Sequence, residues 1–279
     1  MEATVSKNEL VLSYIEDNYD VRRNVVSQKI EFKLKKESEF QNAEGGALDQ
    51  IWYDINLNVI NNYTLSKTRR MLSMKADVNE HHPFKYYFDS LPEWDTADHI
   101  GEVATMVTSK ELSSEDWYSQ FAKWIVGVVA SAIDENINNN CLVLSGPAGI
   151  GKTTFFRNLV PVELKRYYKE ERITAKEKIR LTNSFLIDVI DADYMPLKKR
   201  KAFRQLIKKT HFDIRLPHNK HETKLRRRAS LCGTTNSVID VSIFNVIEVT
   251  GIDYKKPINH EQMYAQAYWM LKNNFDYKN

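Results

Sequence analysis

A glycine-rich octapeptide near the middle of the chain carries the clearest chemical pattern in the sequence. It runs Gly146-Pro147-Ala148-Gly149-Ile150-Gly151-Lys152-Thr153 and is followed by Thr154. In the pattern G-x-x-x-x-G-K-[ST], the glycines let backbone N–H groups turn inward around a phosphate. The lysine then reaches the β- and γ-phosphates, and the threonine hydroxyl binds Mg²⁺. The sequence therefore predicts that residues 146–154 bind ATP together with Mg²⁺.

The residues on either side of this loop have the character that a phosphate-binding loop requires. Cys141–Ser145 is a short apolar run, typical of a buried strand, and residues 154–159 continue with helical spacing. A chance match in a glycine turn ahead of a helix is the alternative, but it does not require the order strand, loop, helix. The pattern by itself does not distinguish an ATPase from a kinase.

An acidic strand is the second element that ATP hydrolysis needs, because a carboxylate must hold Mg²⁺ beside the attacking water. Residues 184–193 contain an apolar run with carboxylates at or just beyond its end, and Asp188 and Asp191 are the predicted metal ligands. Asp191 is also the predicted catalytic carboxylate. An ordinary strand end with capping aspartates is the alternative interpretation.

A third polar position follows another apolar run. Residues 229–235 are typical of a buried strand, and Asn236 comes directly after them. An asparagine at that point can sense the γ-phosphate and position water through hydrogen bonds. A turn asparagine is the common alternative, and the prediction gains its strength from the order of the three patterns along the chain.

Positive charge is concentrated in residues 198–228, which hold 13 Lys or Arg against Asp213 and Glu222, a local charge of +11 in a chain of net charge +3. Such a stretch is suited to contact with a nucleic-acid backbone, here DNA. Arg227 and Arg228 are also candidates for an arginine finger that completes a neighbouring subunit's ATP site. A solvated helix face is the alternative for the run that begins at Lys198.

Composition excludes several other classes of protein. No apolar run approaches the ~20 residues that span a bilayer, and the first residues lack the layout of a signal peptide. The two cysteines, Cys141 and Cys232, lie in apolar runs, which indicates reduced core residues rather than a disulfide or a metal site. We therefore expect a cytoplasmic protein without a membrane segment.

Hydrophobic periodicity predicts an α/β protein with a P-loop NTPase core and a small N-terminal α+β domain. Within the N-terminal domain we expect a helix over residues 8–19, a strand over 21–35, a loop over 37–46 and mostly helix over 48–78. Apolar helices are predicted at 117–133 and 261–272. The expected domains are an N-terminal domain 1–80, a connector 81–115, a P-loop ATPase domain 116–254 and a C-terminal helix 255–279.

Taken together, these patterns resemble the virulence-associated protein E family, over roughly residues 82–275. The matching segments are Leu91-Pro92-Glu93-Trp94-Asp95, the octapeptide 146–153, the acidic strand around 188–193, Asp213-Ile214-Arg215-Leu216-Pro217, Arg227-Arg228, Gly233-Thr234-Thr235-Asn236 and Val249-Thr250-Gly251. The resemblance implies a P-loop fold close to superfamily 3 helicases and the AAA+ group, a homo-oligomer, and carriage by phages or mobile elements. It also implies that Lys152 and Thr153 bind phosphate and Mg²⁺, that Asp191 is the catalytic acid position and that Asn236 is the sensor.

The chain departs from that family at two places. The family usually has Glu in the acidic strand, and the Asp188 and Asp191 found here set the carboxylate back by about one methylene, which favours slow hydrolysis. The family also tends to carry Arg-Arg after the Thr-Gly turn region, in a longer segment, whereas residues 242–246 of this chain contain no arginine. An arginine finger must then come from elsewhere in the chain.

The sequence thus favours a helicase-like or replication-associated ATPase that acts on DNA. Two other functions remain open at this point. One is an ATP-dependent conformational switch with little hydrolysis, which the Asp-for-Glu change permits. The other is a P-loop kinase, which needs neither the Asn236 sensor nor the basic stretch.

Overall fold

The computed structural model describes residues 6–172, 178–189, 197–216, 221–236 and 244–278, with the backbone alone over 197–200. The chain divides into two compact units, the first ending at Pro83 and the second beginning at Phe84. Asp191, one of the predicted site residues, lies outside the described residues.

The first unit is a four-stranded sheet with three helices. Its elements in chain order are α1 (Lys7–Asn18), β1 (Tyr19–Asn24), β2 (Lys29–Leu34), β3 (Gln41–Asn42), α2 (Gly46–Asn58), α3 (Leu65–Asp77) and β4 (Glu80–His81). The strand order is β3-β2-β1-β4, with β1 antiparallel to β2 and parallel to β4. The predicted α+β character and the predicted helices are confirmed.

The prediction of one strand over residues 21–35 is wrong, because this stretch forms a β-hairpin. Tyr19 pairs with Leu34 and Asn24 with Lys29. The Asn24 side chain accepts hydrogen bonds from the backbone N–H groups of residues 26 and 27, both at 3.0 Å, and this Asx turn reverses the chain. Asparagine is depleted in strands and favoured in turns, and the side-chain bonds of Asn24 to the backbone fix the reversal that the β-branched residues around it conceal in the sequence.

The second unit is built on a six-stranded, mostly parallel sheet. Its elements in chain order are α4 (Pro83–Asp89), α5 (His99–Ala104), β5 (Val107–Ser109), α6 (Ser114–Ala132), β6 (Cys141–Ser145), α7 (Lys152–Asn158), a 3₁₀ helix (Val162–Tyr167), β7 (Tyr168–Glu171), α8 (Lys178–Asn183), β8 (Leu186–Val189), α9 (Leu197–Ile207), β9 (His211–Ile214), β10 (Thr223–Arg226), β11 (Ser230–Thr235), β12 (Asn245–Ile252) and α10 (His260–Lys272). The order in the sheet is β5-β12-β6-β11-β8-β7, and only β5 runs antiparallel to its neighbour. The remaining two strands, β9 and β10, form a separate antiparallel hairpin.

Both faces of this sheet are buried, as a parallel sheet requires. One face packs Cys141, Val143 and Leu231 against apolar side chains of α9, among them Phe203 and Leu206. On the central helix α6, Trp124 is buried and donates from Nε1 to the Leu231 carbonyl at 3.2 Å. Both cysteines of the chain are buried and free, as predicted. The structure confirms the predicted helices at 117–133 and 261–272 as parts of α6 and α10.

The segment predicted as a connector is built into the second unit from Phe84 onward. It contains α4 and α5, and β5 extends the main sheet by pairing Val107 with Ile252 of β12. Phe84 is fully buried and its ring contacts Tyr167 and Phe185. Short helices separated by prolines give little hydrophobic periodicity, and the sequence pattern therefore indicates a linker. In the structure these residues pack into the core of the second unit. Within the described residues no helix has the length and apolar character needed to cross a bilayer.

Candidate nucleotide site

The glycine-rich loop lies between β6 and α7, where the sequence predicts it. A Cβ on Gly146 would lie 2.2 Å from the Val249 carbonyl oxygen, and only glycine fits against the neighbouring strand β12 at that point. Gly151 has φ +94° and its Cα lies against the Tyr254 ring, which would meet any added Cβ at 2.0 Å. Gly146 is therefore required because the β12 backbone approaches it closely, and Gly151 is required because of its positive φ.

Lys152, the first residue of α7, points its ammonium group back into the loop. The Nζ atom donates to the carbonyl oxygens of Gly146 and Pro147, both at 2.7 Å, and to Asn236 Oδ1 at 2.9 Å. The residue is only 6% exposed, and burial lowers the pKa of its ammonium group. Among the described residues, all hydrogen-bond partners of this buried cation are neutral oxygens, and such a cation is suited to bind an anion.

Asn236 reaches Lys152 because their strands are neighbours in a parallel sheet. The last residue of β11, Thr235, pairs with Ser145, the last residue of β6, and the carboxyl ends of the two strands lie side by side. Thr153 Oγ1 lies 3.2 Å from Thr234 Oγ1, which brings a second pair of side chains together at the same edge. The structure thus places Lys152, Thr153 and Asn236 at one point. Thr234 was missed in the sequence, where a threonine inside a strand gives no chemical signal.

The residues present fit a nucleotide phosphate with Mg²⁺. The helix N-cap is Gly151, which provides no side-chain acceptor, and the backbone N–H groups at the start of a helix are suited to bind an anion. The Thr153 hydroxyl lies in the first turn of the same helix, where it would hold the metal. Among the described residues no group of three or more His, Cys, Asp or Glu side chains is placed to hold a metal ion by itself.

Asp188 lies in the middle of the sheet rather than at its carboxyl edge. It pairs with Cys232 of β11, which in turn pairs with Leu142 of β6, three residues before Ser145. The residue is 2% exposed, and Oδ1 makes no hydrogen bond within the part of the chain described. The structure does not bring Asp188 together with Lys152, and the metal role predicted for Asp188 and Asp191 stays a prediction.

The surroundings of Asp188 favour its neutral form. Burial raises the pKa of its carboxyl group to about 7, the nearby Glu170 carboxylate adds to this, and the Arg157 guanidinium opposes it. Arg157 itself is paired with Glu170, with 2.6 Å between Nη2 and Oε1. Burial of the carboxyl group between neighbouring strands, with the Glu170 carboxylate close by, therefore disfavours its charged form in the folded chain.

Arg227 and Arg228 precede β11 and lie at the opposite edge of the sheet from the loop. Arg227 is fully buried and donates to the Ile207 and Asn138 carbonyl oxygens, and burial lowers its pKa to about 10. Arg228 donates to both carboxylate oxygens of Asp134, at 2.8 and 3.0 Å. An arginine finger must be exposed, whereas these two arginines are buried and bonded within their own chain, and their role as a finger stays a prediction.

The basic stretch forms α9 and the β9–β10 hairpin. The apolar side of α9 faces the core through Phe203, Leu206 and Ile207, and Lys201, Lys208 and Lys209 are exposed. On the hairpin Lys224 is also exposed. The side chains of residues 198–200 lie outside the part of the chain described.

Comparison with known proteins identifies the family and the fold. The sequence matches the family model of the virulence-associated protein E-like domain over residues 88–276. A search of curated proteins gives no significant match. Among solved structures, the apo structure of the NrS-1 C-terminal region (305–718) aligns with TM-score 0.60 and 13% identity, over 98% of this chain and 71% of that one. The A form of the same region gives TM-score 0.57 and 13% identity, over 94% and 69% of the two chains.

A further match, to inhibitor-bound JCV helicase, has a TM-score of 0.38 at 10% identity over 81% of this chain and 69% of the other, too low to support an argument. The alignments to the NrS-1 region confirm the predicted α/β fold. The family model covers most of the chain, including the glycine-rich loop, Asp188 and Asn236. The chain belongs to the virulence-associated protein E-like domain family.

Proposed function

We propose that this protein binds and hydrolyses ATP with Mg²⁺ and couples the reaction to DNA, as a helicase-like or replication-associated ATPase of a phage or mobile element. The observation that carries the proposal is the 2.9 Å contact between Lys152 Nζ and Asn236 Oδ1. It joins the phosphate-binding lysine and the predicted sensor, which lie 84 positions apart in sequence.

Each residue at this edge has a definite part in the proposed reaction. The backbone N–H groups of residues 146–154 hold the β- and γ-phosphates, and the Lys152 ammonium neutralises the charge that develops on the transferring phosphoryl group. Thr153 holds Mg²⁺, which would supply further charge neutralisation when bound. Asn236, freed from Lys152 when the lysine turns to the phosphate, orients the attacking water.

The DNA part of the proposal rests on the exposed lysines of the basic stretch. In α9 and the segment after it, Lys201, Lys208 and Lys209 are exposed, whereas Phe203, Leu206 and Ile207 are buried. This separation leaves the cations available for phosphate contacts without loss of core packing.

The test of ATP hydrolysis is phosphate release with and without single-stranded DNA, comparing the native chain with Lys152→Ala. Release that DNA stimulates and that Lys152→Ala reduces at least about 10³-fold supports the proposal. Lys36→Ala, an exposed lysine of the first unit, is the matched control and should behave as native. The hydrolysis proposal would fail if native protein released phosphate no faster than the Lys152→Ala variant.

The test of DNA contact is the salt dependence of binding to labelled single-stranded DNA. Lys208→Ala with Lys209→Ala should weaken binding and reduce the log–log salt slope by about 1 to 2, because each phosphate contact contributes roughly 0.7 to 0.9. The control is the pair Lys35→Ala and Lys36→Ala, also exposed and adjacent. Equal slopes for the two double variants would place the DNA contact elsewhere.

An ATP-dependent switch with little turnover is the second candidate, and two observations favour it. Asp188 lies inside the sheet with its carboxyl pKa raised to about 7, and Arg227 and Arg228 are engaged within their own subunit. Tight ATP binding by the native chain with no DNA-stimulated phosphate release would favour the switch over the DNA-coupled ATPase.

A further inference from the structure

The helix α3 of the first unit concentrates positive charge that neither the phosphate site nor the basic stretch uses. It carries four Lys or Arg against one acid, Asp77, and no Asp or Glu occurs from residue 55 to residue 76. Residues 1–83 as a whole hold 11 Lys or Arg against 13 Asp or Glu, a net charge of −2. The charge of the first unit is therefore polarised toward this helix.

Packing leaves one side of α3 exposed. Four residues of the helix are buried, and they are Thr68, Met71, Leu72 and Ala76. Arg70 lies midway in sequence between two of them. Because successive residues are about 100° apart around a helix, Arg70 lies on the side opposite the buried one, with Lys67 and Arg69 flanking it. All three cations are exposed. The Thr64 side chain accepts from the Lys67 backbone N–H at 3.3 Å and so caps this first turn.

Ion pairing distinguishes Lys67, Arg69 and Arg70, here called the basic face of α3, from other cations of the first unit. The pairs in this unit include Arg22–Glu31, Arg23–Asp77, Lys29–Glu44, Lys33–Asp20 and Lys75–Glu16. Within the part of the chain that the structure describes, the basic face makes no ion pair, although Lys67 lies over the Tyr63 ring at 5.9 Å. Its positive charge is therefore available to an anionic partner.

The chemistry and shape of the basic face fit duplex DNA. Guanidinium and ammonium groups donate to phosphate oxygens, and a guanidinium also donates to the edge of a guanine base. A helix is about 10–12 Å across, and the major groove of B-DNA is about 12 Å wide. The 13 residues of α3 extend about 20 Å, enough to reach phosphates of both strands.

Single-stranded DNA fits this face less well. Proteins bind it with aromatic side chains on which the bases stack, usually along a groove. The helix α3 contains no aromatic residue, and its exposed side is convex. Charge complementarity and shape together therefore favour a duplex.

We propose that the basic face of α3 binds duplex DNA in its major groove, with Arg70 directed to the base edges and Lys67 and Arg69 to the phosphates on either side. The first unit lies outside residues 88–276, which match the family model. This contact is separate from the one proposed for residues 198–228, and it does not depend on a bound nucleotide.

The first test measures binding of the full chain to a short labelled DNA duplex by fluorescence anisotropy, without ATP or Mg²⁺. At about 0.1 M salt, Arg69→Ala with Arg70→Ala should weaken binding about tenfold to a hundredfold. The log–log salt slope should fall by about 1 to 2, because each lost contact contributes roughly 0.9.

The matched control is Lys35→Ala with Lys36→Ala. These lysines are exposed and adjacent in the same unit, but Glu37 and Glu39 follow them closely in sequence. This variant should bind the duplex as the native chain does. The inference is overturned if the Arg69 and Arg70 double variant also binds as native, or if the native chain does not bind the duplex.

Ser66→Glu separates loss of binding from loss of folding. Ser66 is exposed in the first turn of α3, where a carboxylate interacts favourably with the helix dipole. The variant should therefore melt at or above the native temperature. Its new carboxylate lies one turn from Arg70 and should weaken duplex binding about tenfold by neutralising it. Native affinity in this variant would show that Arg70 does not face the DNA.

Three further ligands decide what the basic face recognises. Duplex RNA of the same sequence should bind at least about tenfold more weakly, since side chains cannot read its deep, narrow major groove. Equal binding of the two duplexes would overturn insertion into the groove. Equal losses of single-stranded and duplex binding in the double variant would overturn the preference for a duplex. Polyglutamate that binds the native chain as tightly as the duplex would assign the face to an acidic protein instead.

The outcome is independent of the proposed ATPase. Lys152→Ala should bind the duplex as the native chain does, because the phosphate site lies in the other unit. Arg69→Ala with Arg70→Ala should keep native phosphate release in the absence of DNA. Failure of ATP hydrolysis thus leaves this inference standing, and loss of the duplex contact leaves the ATPase proposal standing.

Discussion

A buried cation lies beside each end of β11, and the two cations differ in how their partners are fixed. At the carboxyl end, Lys152 and Asn236 meet at a loop edge where a ligand can enter. At the amino end, Arg227 is enclosed between the Ile207 and Asn138 carbonyl groups, and Arg228 is paired with Asp134. Both ends therefore contain a buried cation held by neutral oxygens.

The two cations differ in how rigidly the oxygen atoms that accept their hydrogen bonds are held. Lys152 is held by two loop carbonyls and one side chain, all of which can be exchanged for phosphate oxygens without opening the core. Arg227 is held by backbone carbonyls of two packed segments and has no exposed surface. A buried cation indicates a functional site only where its partners can be replaced by a ligand.

The largest effect should come from a substitution of Arg227, beside the amino end of β11, and it should be an effect on stability. Arg227→Ala leaves two carbonyl groups without a donor in the core and should lower the free energy of unfolding by about 3–5 kcal/mol, measured by urea denaturation. Phosphate release per folded molecule should be unchanged. Lys224→Ala, exposed on β10, is the control and should stay within about 0.5 kcal/mol of native. A stable Arg227→Ala variant with lost turnover would instead support the arginine-finger prediction.

A substitution of Asn236, beside the carboxyl end of β11, should have an effect of similar size on the activation free energy of phosphate release and little effect on stability. Asn236→Ala should slow phosphate release about 10²–10³-fold, as loss of one positioned hydrogen-bonding group does. Lys152 keeps its two carbonyl partners, and the free energy of unfolding should change by less than about 1 kcal/mol. A variant that loses stability but keeps turnover would make Asn236 a structural residue like Arg227.

A third prediction concerns the middle of the sheet, where Asp188 faces Glu170, Arg157, Tyr168 and Cys232. Its carboxyl pKa rises from 3.8 to about 7 on folding, and the folded state therefore holds a proton that the unfolded chain has lost. Stability should consequently fall as pH rises from about 4 to 7, by about 2–3 kcal/mol between pH 5 and 7.

Asp188→Asn is the variant that tests this, since an amide has no proton to lose over this pH range. Urea denaturation at a series of pH values should show a flatter stability curve for Asp188→Asn than for the native chain. The same slope in both would remove Asp188 as the cause. Loss of Mg²⁺-dependent turnover in the variant, with native stability, would restore Asp188 as a metal ligand.

The smallest effect should come from the ion pair at the amino end. Asp134→Asn weakens the bidentate contact with Arg228, which is partly shielded from water, and should cost about 1 kcal/mol of unfolding free energy. Glu135→Gln breaks the exposed pair with Lys272 and should have almost no effect. Equal effects of the two variants would show that burial does not distinguish these pairs.

Much of the fold follows from local patterns in the sequence. The octapeptide is contiguous, and its flanking strand and helix have short-range signals, which allowed the loop and β6, α6 and α10 to be predicted. The hairpin at 19–34 and the elements after Phe84 were not, since a side-chain turn at Asn24 and short helices carry little periodic signal.

Part of the candidate site could not be predicted from the sequence for a different reason. Thr234 and Tyr254 are ordinary residues in the sequence and contact the glycine-rich loop and α7 only when β11 and the segment after β12 are brought beside them. The pattern around Asp188 predicts a carboxylate at the strand end, but the register shows that the residue lies three positions inside the sheet edge.

By itself the sequence determined the glycine-rich loop and its flanking strand and helix, because the loop is a contiguous pattern whose backbone geometry depends on glycines at fixed spacing. Only the tertiary structure decided which of the other polar residues lie beside that loop. Arg227 and Asn236 flank the same six-residue strand, and a strand of that length separates its ends by about 20 Å. Parallel pairing then sets Asn236 beside Lys152 and carries Arg227 to the far side of the core.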